Sequence, residues 1–114
     1  MKVYGIASCD TVKKALRALD AAGHRPEFVD IRKTPLEPAE IARFFAEFGE
    51  ALVNRRSTTW RGLSETERAE APDRLISAHP ALMKRPVIEA GEGLTLGWDA
   101  QAQARWLGKP GEGA

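Results

Sequence analysis

The sequence predicts a single α/β domain of order β-α-β, then a helical middle, then β-β-α, and three observations carry that prediction. A β-branched and aromatic run, Val3-Tyr4-Gly5-Ile6, is followed by apolar residues at helical spacing and then by a second β-rich run, Glu27-Phe28-Val29-Asp30-Ile31. Strand, helix and strand within about thirty residues make a βαβ unit, whose strands run parallel. Further on, Val87-Ile88-Glu89 and Leu94-Thr95-Leu96 flank the tight connection Ala90-Gly91-Glu92-Gly93, the pattern of an antiparallel hairpin. The stretch between these two units carries helical periodicity and no strand signal.

Each element has a local reason. In the first helix Val12, Ala15, Leu16 and Leu19 form one apolar stripe, while Lys13, Lys14, Arg17 and Asp20 fill the other face. Gly23 ends it as the residue after the C-cap. Pro38 suits the first position of a second helix, along which Ile41, Phe44, Phe45 and Phe48 keep helical spacing until Gly49. Residues 52–60 are polar and arginine-rich, expected as a loop or short irregular helix. Ser64-Glu65-Thr66-Glu67 is a capping-box pattern, and another helix is expected from Pro72 through Leu75 and Ile76 toward His79. Asp99 is a good N-cap for a last helix through Ala102 and Trp106. The domain is expected to span residues 1–108, with 109–114, which lack apolar side chains other than a final alanine, as a flexible tail.

Composition removes several function classes. The 114 residues include 17 Lys plus Arg against 16 Asp plus Glu, a net charge of +1 that gives no electrostatic reason to expect nucleic-acid or membrane-surface binding. No apolar run approaches the ~20 residues needed to cross a bilayer. The N-terminal stretch meets Gly5 and Ser8-Cys9-Asp10 too soon for a signal-peptide core, so a cytoplasmic protein is expected. No phosphate-binding glycine loop and no dinucleotide fingerprint occurs. With one Cys and two His (His24 and His79), neither a disulfide framework nor a structural zinc site is expected. The lone thiol is either buried and inert or exposed and used.

Cys9 stands where the first strand gives way to the first helix. A thiol there meets unpaired backbone N–H groups and the positive end of the helix dipole, both of which favour the thiolate. The same N–H groups can hold an oxyanion against the sulfur. The Asp10 carboxylate suits a helix start but opposes a neighbouring thiolate, and position by itself leaves both readings of Cys9 open.

The motif Tyr4-Gly5-Ile6-x-x-Cys9-Asp10-Thr11-x-Lys13-Lys14-Ala15 resembles the opening of the arsenate reductase-like (ArsC/Spx) family, in particular its small YffB-like branch. Leu52-x-Asn54-x-Arg56-x-Thr58-Thr59-Trp60-Arg61-x-Leu63 resembles that branch's middle segment. Met83-Lys84-Arg85-Pro86-Val87-Ile88 and Leu96-Gly97-Trp98 resemble its closing segment. The resemblance implies a thioredoxin-like fold with an inserted helical segment between its halves. It implies Cys9 as nucleophile, Arg85 and Thr11 at the bound anion, and Pro86 as the cis-proline beside the cysteine. A further cation is implied in the middle segment, where Arg56 fits the pattern best, Arg55 is its neighbour, and Asn54 is the other candidate. The third anion-binding arginine of true arsenate reductases falls near Gly97 and is missing, which argues against arsenate as the physiological substrate.

The resemblance further implies a thiol oxidoreductase with no bound cofactor, acting on a small oxyanion or a thiol adduct. Because the chain has no second cysteine, an adduct on Cys9 must be resolved by an outside thiol, with glutathione as co-substrate or a glutaredoxin-like protein as partner. The alternative within the family is an Spx-like regulator that binds the RNA polymerase α-subunit. The best-known redox switch of that branch uses two cysteines. The tryptophans are expected to pack, Trp60 and Trp98 near the edge of the site and Trp106 on the last helix.

Overall fold

The computed structural model describes residues 1–108, so the tail expected over 109–114 lies outside the described residues. Four strands, β1 (Lys2–Gly5), β2 (Glu27–Asp30), β3 (Val87–Ala90) and β4 (Gly93–Leu96), form one sheet in the order β2-β1-β3-β4. β1 and β2 are parallel, with Val3 opposite Phe28. β3 is antiparallel to both β1 and β4, with Val3 opposite Ile88 and Ile88 opposite Thr95. Helices α1 (Asp10–Ala21), α2 (Pro38–Phe48), α3 (Thr58–Arg61), α4 (Glu65–Arg68), α5 (Pro72–Ala78) and α6 (Ala100–Leu107) complete the order, with 3₁₀ turns at Gly49–Leu52 and Pro80–Leu82. This is the thioredoxin-like arrangement with a helical insertion. The chain divides into two compact units, one of Met1–Asp30 together with the chain from Arg85, the other of Ile31–Lys84.

The first unit holds the sheet with α1 and α6. Its core is Val3, Val12, Leu19, Ile88 and Trp106, with Leu16, Phe28 and Trp98 packed around it. α1 turns its Val12, Ala15 and Leu19 stripe inward because those side chains recur at the helical period. It ends in a Schellman motif: Gly23 takes φ 91°, its N–H donates to Asp20 O at 3.0 Å, and the His24 N–H donates to Leu19 O at 3.1 Å. α6 starts where Asp99 Oδ1 accepts the Ala102 N–H at 2.9 Å. Two polar contacts tie α6 down. The Trp106 indole N–H donates to Thr95 Oγ1 at 2.7 Å, and His24 Nε2 lies 2.8 Å from the Trp106 carbonyl oxygen. Around the hairpin, Gly91 (φ 56°) supplies the left-handed turn, so that Ala90 pairs with Gly93.

The second unit is helical. α2 opens with Pro38 at its first turn and the Glu37 N–H donating to Glu40 Oε1 at 3.1 Å; it buries Ile41 and Phe44 and packs on α5, which buries Leu75 and Ile76. A 3₁₀ turn at Gly49–Leu52 leads into the arginine-rich stretch, which runs as a turn into α3, whose N-cap Ser57 accepts the Trp60 N–H at 3.2 Å. Ser64 and Glu67 form the predicted reciprocal box at 3.1 and 2.9 Å, though the α4 it starts runs for one turn only. Trp60 packs on Leu63, Leu75 and Leu82, with the Arg55 and Arg68 guanidinium carbons 5.4 and 5.5 Å from its ring. His79 closes α5 as its C-cap, the helix-end place expected for it.

Candidate active site

Cys9 is the N-cap of α1. Its backbone is extended (φ −80°, ψ 118°), its N–H donates to Ile6 O at 3.0 Å and its carbonyl accepts the Lys13 N–H at 3.1 Å. The sulfur is therefore presented at the first turn, half-buried, with Ser8 and Asp10 exposed on either side. The approach of helix to strand depends on Gly5, where a β-carbon would stand 2.6 Å from Val12 Cγ2. A larger residue at the end of β1 would push α1, and Cys9 with it, outward.

Arg85 reaches the same sulfur from the other half of the unit. β3 starts at Val87, which pairs with Tyr4 near the end of β1, so the two residues before Val87 flank the chain as it leaves β1 for Cys9. The Arg85–Pro86 peptide is cis and Pro86 is buried. The Pro86 carbonyl accepts the Gly97 N–H at 2.8 Å, which joins this turn to the end of β4.

Burial of Cys9 acts to raise its thiol pKa. Against it work the Val12 backbone N–H, a hydrogen bond donated by the Arg85 guanidinium, the positive charge of Arg85, and the Thr11 N–H. The sum leaves the thiol below its ordinary value. Sulfur makes no cap bond of ordinary geometry, so these N–H groups act on it as nearby dipoles more than as tight donors. The Cys9 thiol, a helix start and a guanidinium thus meet at one point, where the thiolate form of the sulfur is favoured and could attack a disulfide sulfur or an anion's central atom.

The other residues singled out in the sequence are placed as follows. Thr11 is exposed in the first turn of α1 and contributes through its backbone N–H. Asn54, Arg55 and Arg56 belong to the second unit. There Asn54 Oδ1 accepts the Arg56 N–H at 3.1 Å, and Arg55 is hydrogen-bonded to Glu50. Trp98 packs on the core of the first unit. One residue that the sequence reading passed over is Lys84, which lines a surface hollow with Asn54, Arg55 and Arg56. Its place in the Lys84-Arg85-Pro86 run was the only available signal. Among the described residues no His, Cys, Asp and Glu side chains cluster so as to hold a metal ion, and no helix is long and apolar enough to cross a membrane.

The fold and this cysteine site define an arsenate reductase-like thiol oxidoreductase class, and comparison with known proteins agrees. The ArsC family matches residues 4–105, and the chain belongs to that family. It is similar to an uncharacterized protein of Haemophilus influenzae, 38% identical over 91 residues that cover 75% of this chain and 80% of that one. The solved structure of the YFFB protein superposes with a TM-score of 0.85 at 34% identity, covering 93% of this chain and 97% of that one. An arsenate reductase (ArsC) related protein from Brucella melitensis superposes with a TM-score of 0.71 at 34% identity, covering 92% of each chain.

Proposed function

We propose that the protein is a thiol reductase in which Cys9 is the nucleophile and glutathione, or a glutaredoxin-like protein, is the resolving thiol. The carrying observation is the Cys9 sulfur at the start of α1, its thiol pKa lowered by backbone N–H groups and by Arg85. In the first step the Cys9 thiolate attacks the glutathione sulfur of a mixed disulfide. A new S–S bond forms, the old one breaks, and the released thiolate takes a proton from water. In the second step a glutathione thiolate attacks the glutathione sulfur held on Cys9, releasing oxidised glutathione and returning the Cys9 thiolate. In sum one free glutathione thiol reduces the mixed disulfide to the released substrate thiol and leaves as oxidised glutathione, joined to the glutathione that the mixed disulfide carried, and no second protein cysteine is required. Arg85 holds the sulfur negative when it is the attacking or the leaving group, and Thr11 lends its N–H at the same point. Pro86 shapes the chain that carries Arg85. Arg56 belongs to substrate binding in this reading.

The experiment is mass spectrometry of the protein incubated with oxidised glutathione at graded pH. A single glutathione adduct on Cys9, with an apparent thiol pKa below the ordinary value of about 8.5, is expected. Full reductase activity in Cys9→Ser would overturn the mechanism. Arsenate turnover is the test of the oxyanion reading, for which an arsenate reductase of Yersinia enterocolitica, 24% identical over 118 residues covering 98% of this chain and 84% of that one, supplies the motive. Glutathione-dependent turnover that disappears in Arg85→Ala would make arsenate the substrate. Position 97, where the third arginine of true arsenate reductases falls, is a glycine with φ 81°, which weighs against it.

A further inference from the structure

The turn that carries Arg85 is held by the other strand of its hairpin. The ladder between β3 and β4 pairs Val87 with Leu96, and one residue further out the Gly97 N–H donates to Pro86 O at 2.8 Å. Pro86 has no N–H of its own, so this carbonyl is the one backbone group through which it can be hydrogen-bonded. Pro86 and Gly97 are both buried, where a hydrogen bond is electrostatically stronger than in water.

Gly97 meets two demands at once. Its N–H faces Pro86, while the residues after it turn away: Trp98 packs on the core of the first unit and Asp99 caps α6. The backbone reconciles them at φ 81°, a left-handed conformation that glycine adopts freely and a residue with a β-carbon adopts only under strain. A side chain at this position would relax that angle at the expense of the bond to Pro86 or of the path into α6.

Arg85, half-buried, is the neighbour of the residue so held, and its guanidinium donates to the Cys9 sulfur. Such a bond weakens steeply with distance and angle, so the guanidinium needs a fixed base. Cys9, Arg85, Pro86 and Gly97 all lie within the first compact unit. We propose that Gly97 is a positioning residue for Cys9, fixing the Pro86 carbonyl and thereby aiming the Arg85 guanidinium at the sulfur. It acts through Arg85 and takes no part in the chemistry itself. The proposal rests on the reading of Cys9 as nucleophile above and adds the residue that sets its cation.

The test is the pH profile of Cys9 alkylation by iodoacetamide, with urea unfolding measured beside it. Gly97→Ala should move the alkylation midpoint upward by about half a pH unit or more, a part of the roughly 1–3 units that a close opposite charge supplies. Gly91→Ala is the control. It strains another left-handed glycine (φ 56°) at the far end of the same hairpin, so it should destabilise the fold and leave the midpoint in place. In an Arg85→Ala background, Gly97→Ala should add no further shift, because the cation it positions is gone. A midpoint unchanged by Gly97→Ala, an equal shift in Gly91→Ala, or a full added shift on top of Arg85→Ala overturns the role.

Coupling is reciprocal, so the parent protein gives a second reading that needs no glycine variant. The Gly97 amide signal should follow the titration of Cys9 by NMR, and the response should be lost in Arg85→Ala. A Gly97 amide that ignores the titration in the parent, or follows it as strongly in Arg85→Ala, overturns the role. Glutathione capture separates the role from the reading it rests on. If the midpoint depends on Gly97 while Cys9 accepts no glutathione, the positioning stands and the reductase reading fails. If Cys9 accepts glutathione and its midpoint ignores Gly97, the reductase reading stands and the positioning is overturned.

Discussion

Gly5 and Val12 touch so closely that a β-carbon on Gly5 would lie 2.6 Å from Val12 Cγ2. Val12 is also the residue whose backbone N–H lowers the Cys9 thiol pKa. The end of β1 and the Cys9 sulfur are therefore set by one packing contact. Gly5→Ala should cost roughly 1–3 kcal/mol through overpacking, read by urea unfolding. It should also raise the Cys9 pKa as α1 is pushed away. Adding Val12→Ala reopens the space, so the double variant should lose less than the two single losses combined. Additive losses would mean that the contact does not govern the site.

Arg85→Ala should raise the thiol pKa, because both the guanidinium hydrogen bond and its charge are lost. Arg85→Lys, which keeps the charge but not the planar fork, should fall between. The rate of alkylation by iodoacetamide against pH reads this directly. Equal midpoints in the parent and Arg85→Ala would remove Arg85 from the site.

The same shift makes stability depend on pH. The folded-state pKa of Cys9 is lower than that of the unfolded chain, so the thiolate stabilises the fold at pH above the unfolded thiol value of about 8.5. The contribution fades as pH falls through the folded-state pKa. Under reducing conditions, the stability difference between the parent and Cys9→Ala should therefore grow with rising pH and level off above about 8.5. A difference that is flat across this window would show that the sulfur has the same pKa folded and unfolded.

Trp106→Phe keeps most of the buried ring but deletes the indole N–H that donates to Thr95 Oγ1 at 2.7 Å. A loss of about 1 kcal/mol is expected, with a smaller added loss when Thr95→Val removes the stranded hydroxyl as well. Urea titrations of the two single variants and the double variant decide it.

Ser64→Ala should free the first turn of α4 at a cost of about 0.5–1 kcal/mol. The Glu67 carboxyl is held below its ordinary pKa by the Ser64 backbone N–H and hydroxyl, with His79 adding a smaller pull. Its pKa should move up in the variant, followed by NMR titration. In the parent the stabilisation is present at pH above the unfolded carboxyl value and is lost as pH falls through the folded one.

Signals that repeat along the chain were readable from the sequence. Val12, Ala15 and Leu19 recur every turn, so α1 and its buried face were predictable, and Gly23, Ser64 and Asp99 mark helix ends by chemistry confined to a few neighbours. Cys9 was legible as a helix-start thiol for the same reason. Residues 52–60 were legible as a loop or short irregular helix, which α3 bears out, but not in how they are held, because that comes from a pairing with residues 82–84 that no local periodicity announces. The fixing of Arg55 by Glu50, and the place of Lys84 in the hollow, follow from that distant pairing and were hidden with it. Arg85 sits in a motif, but its hold on the sulfur needs β3 laid antiparallel to β1, a relation across more than eighty residues.

The outer strands of the sheet have a consequence for colloidal behaviour. Among the described residues β2 and β4 are the outer strands, and an outer strand carries a row of backbone donors and acceptors that can template sheet-to-sheet aggregation. Both are four residues long; β2 is bounded by Glu27 and Asp30, and β4 begins at Gly93, against the Arg105 guanidinium and the Trp106 ring. Short rims bearing charge give an incoming strand little to extend. Neutralising them, as in Glu27→Val with Asp30→Val, would turn a rim into a polymerisation seed.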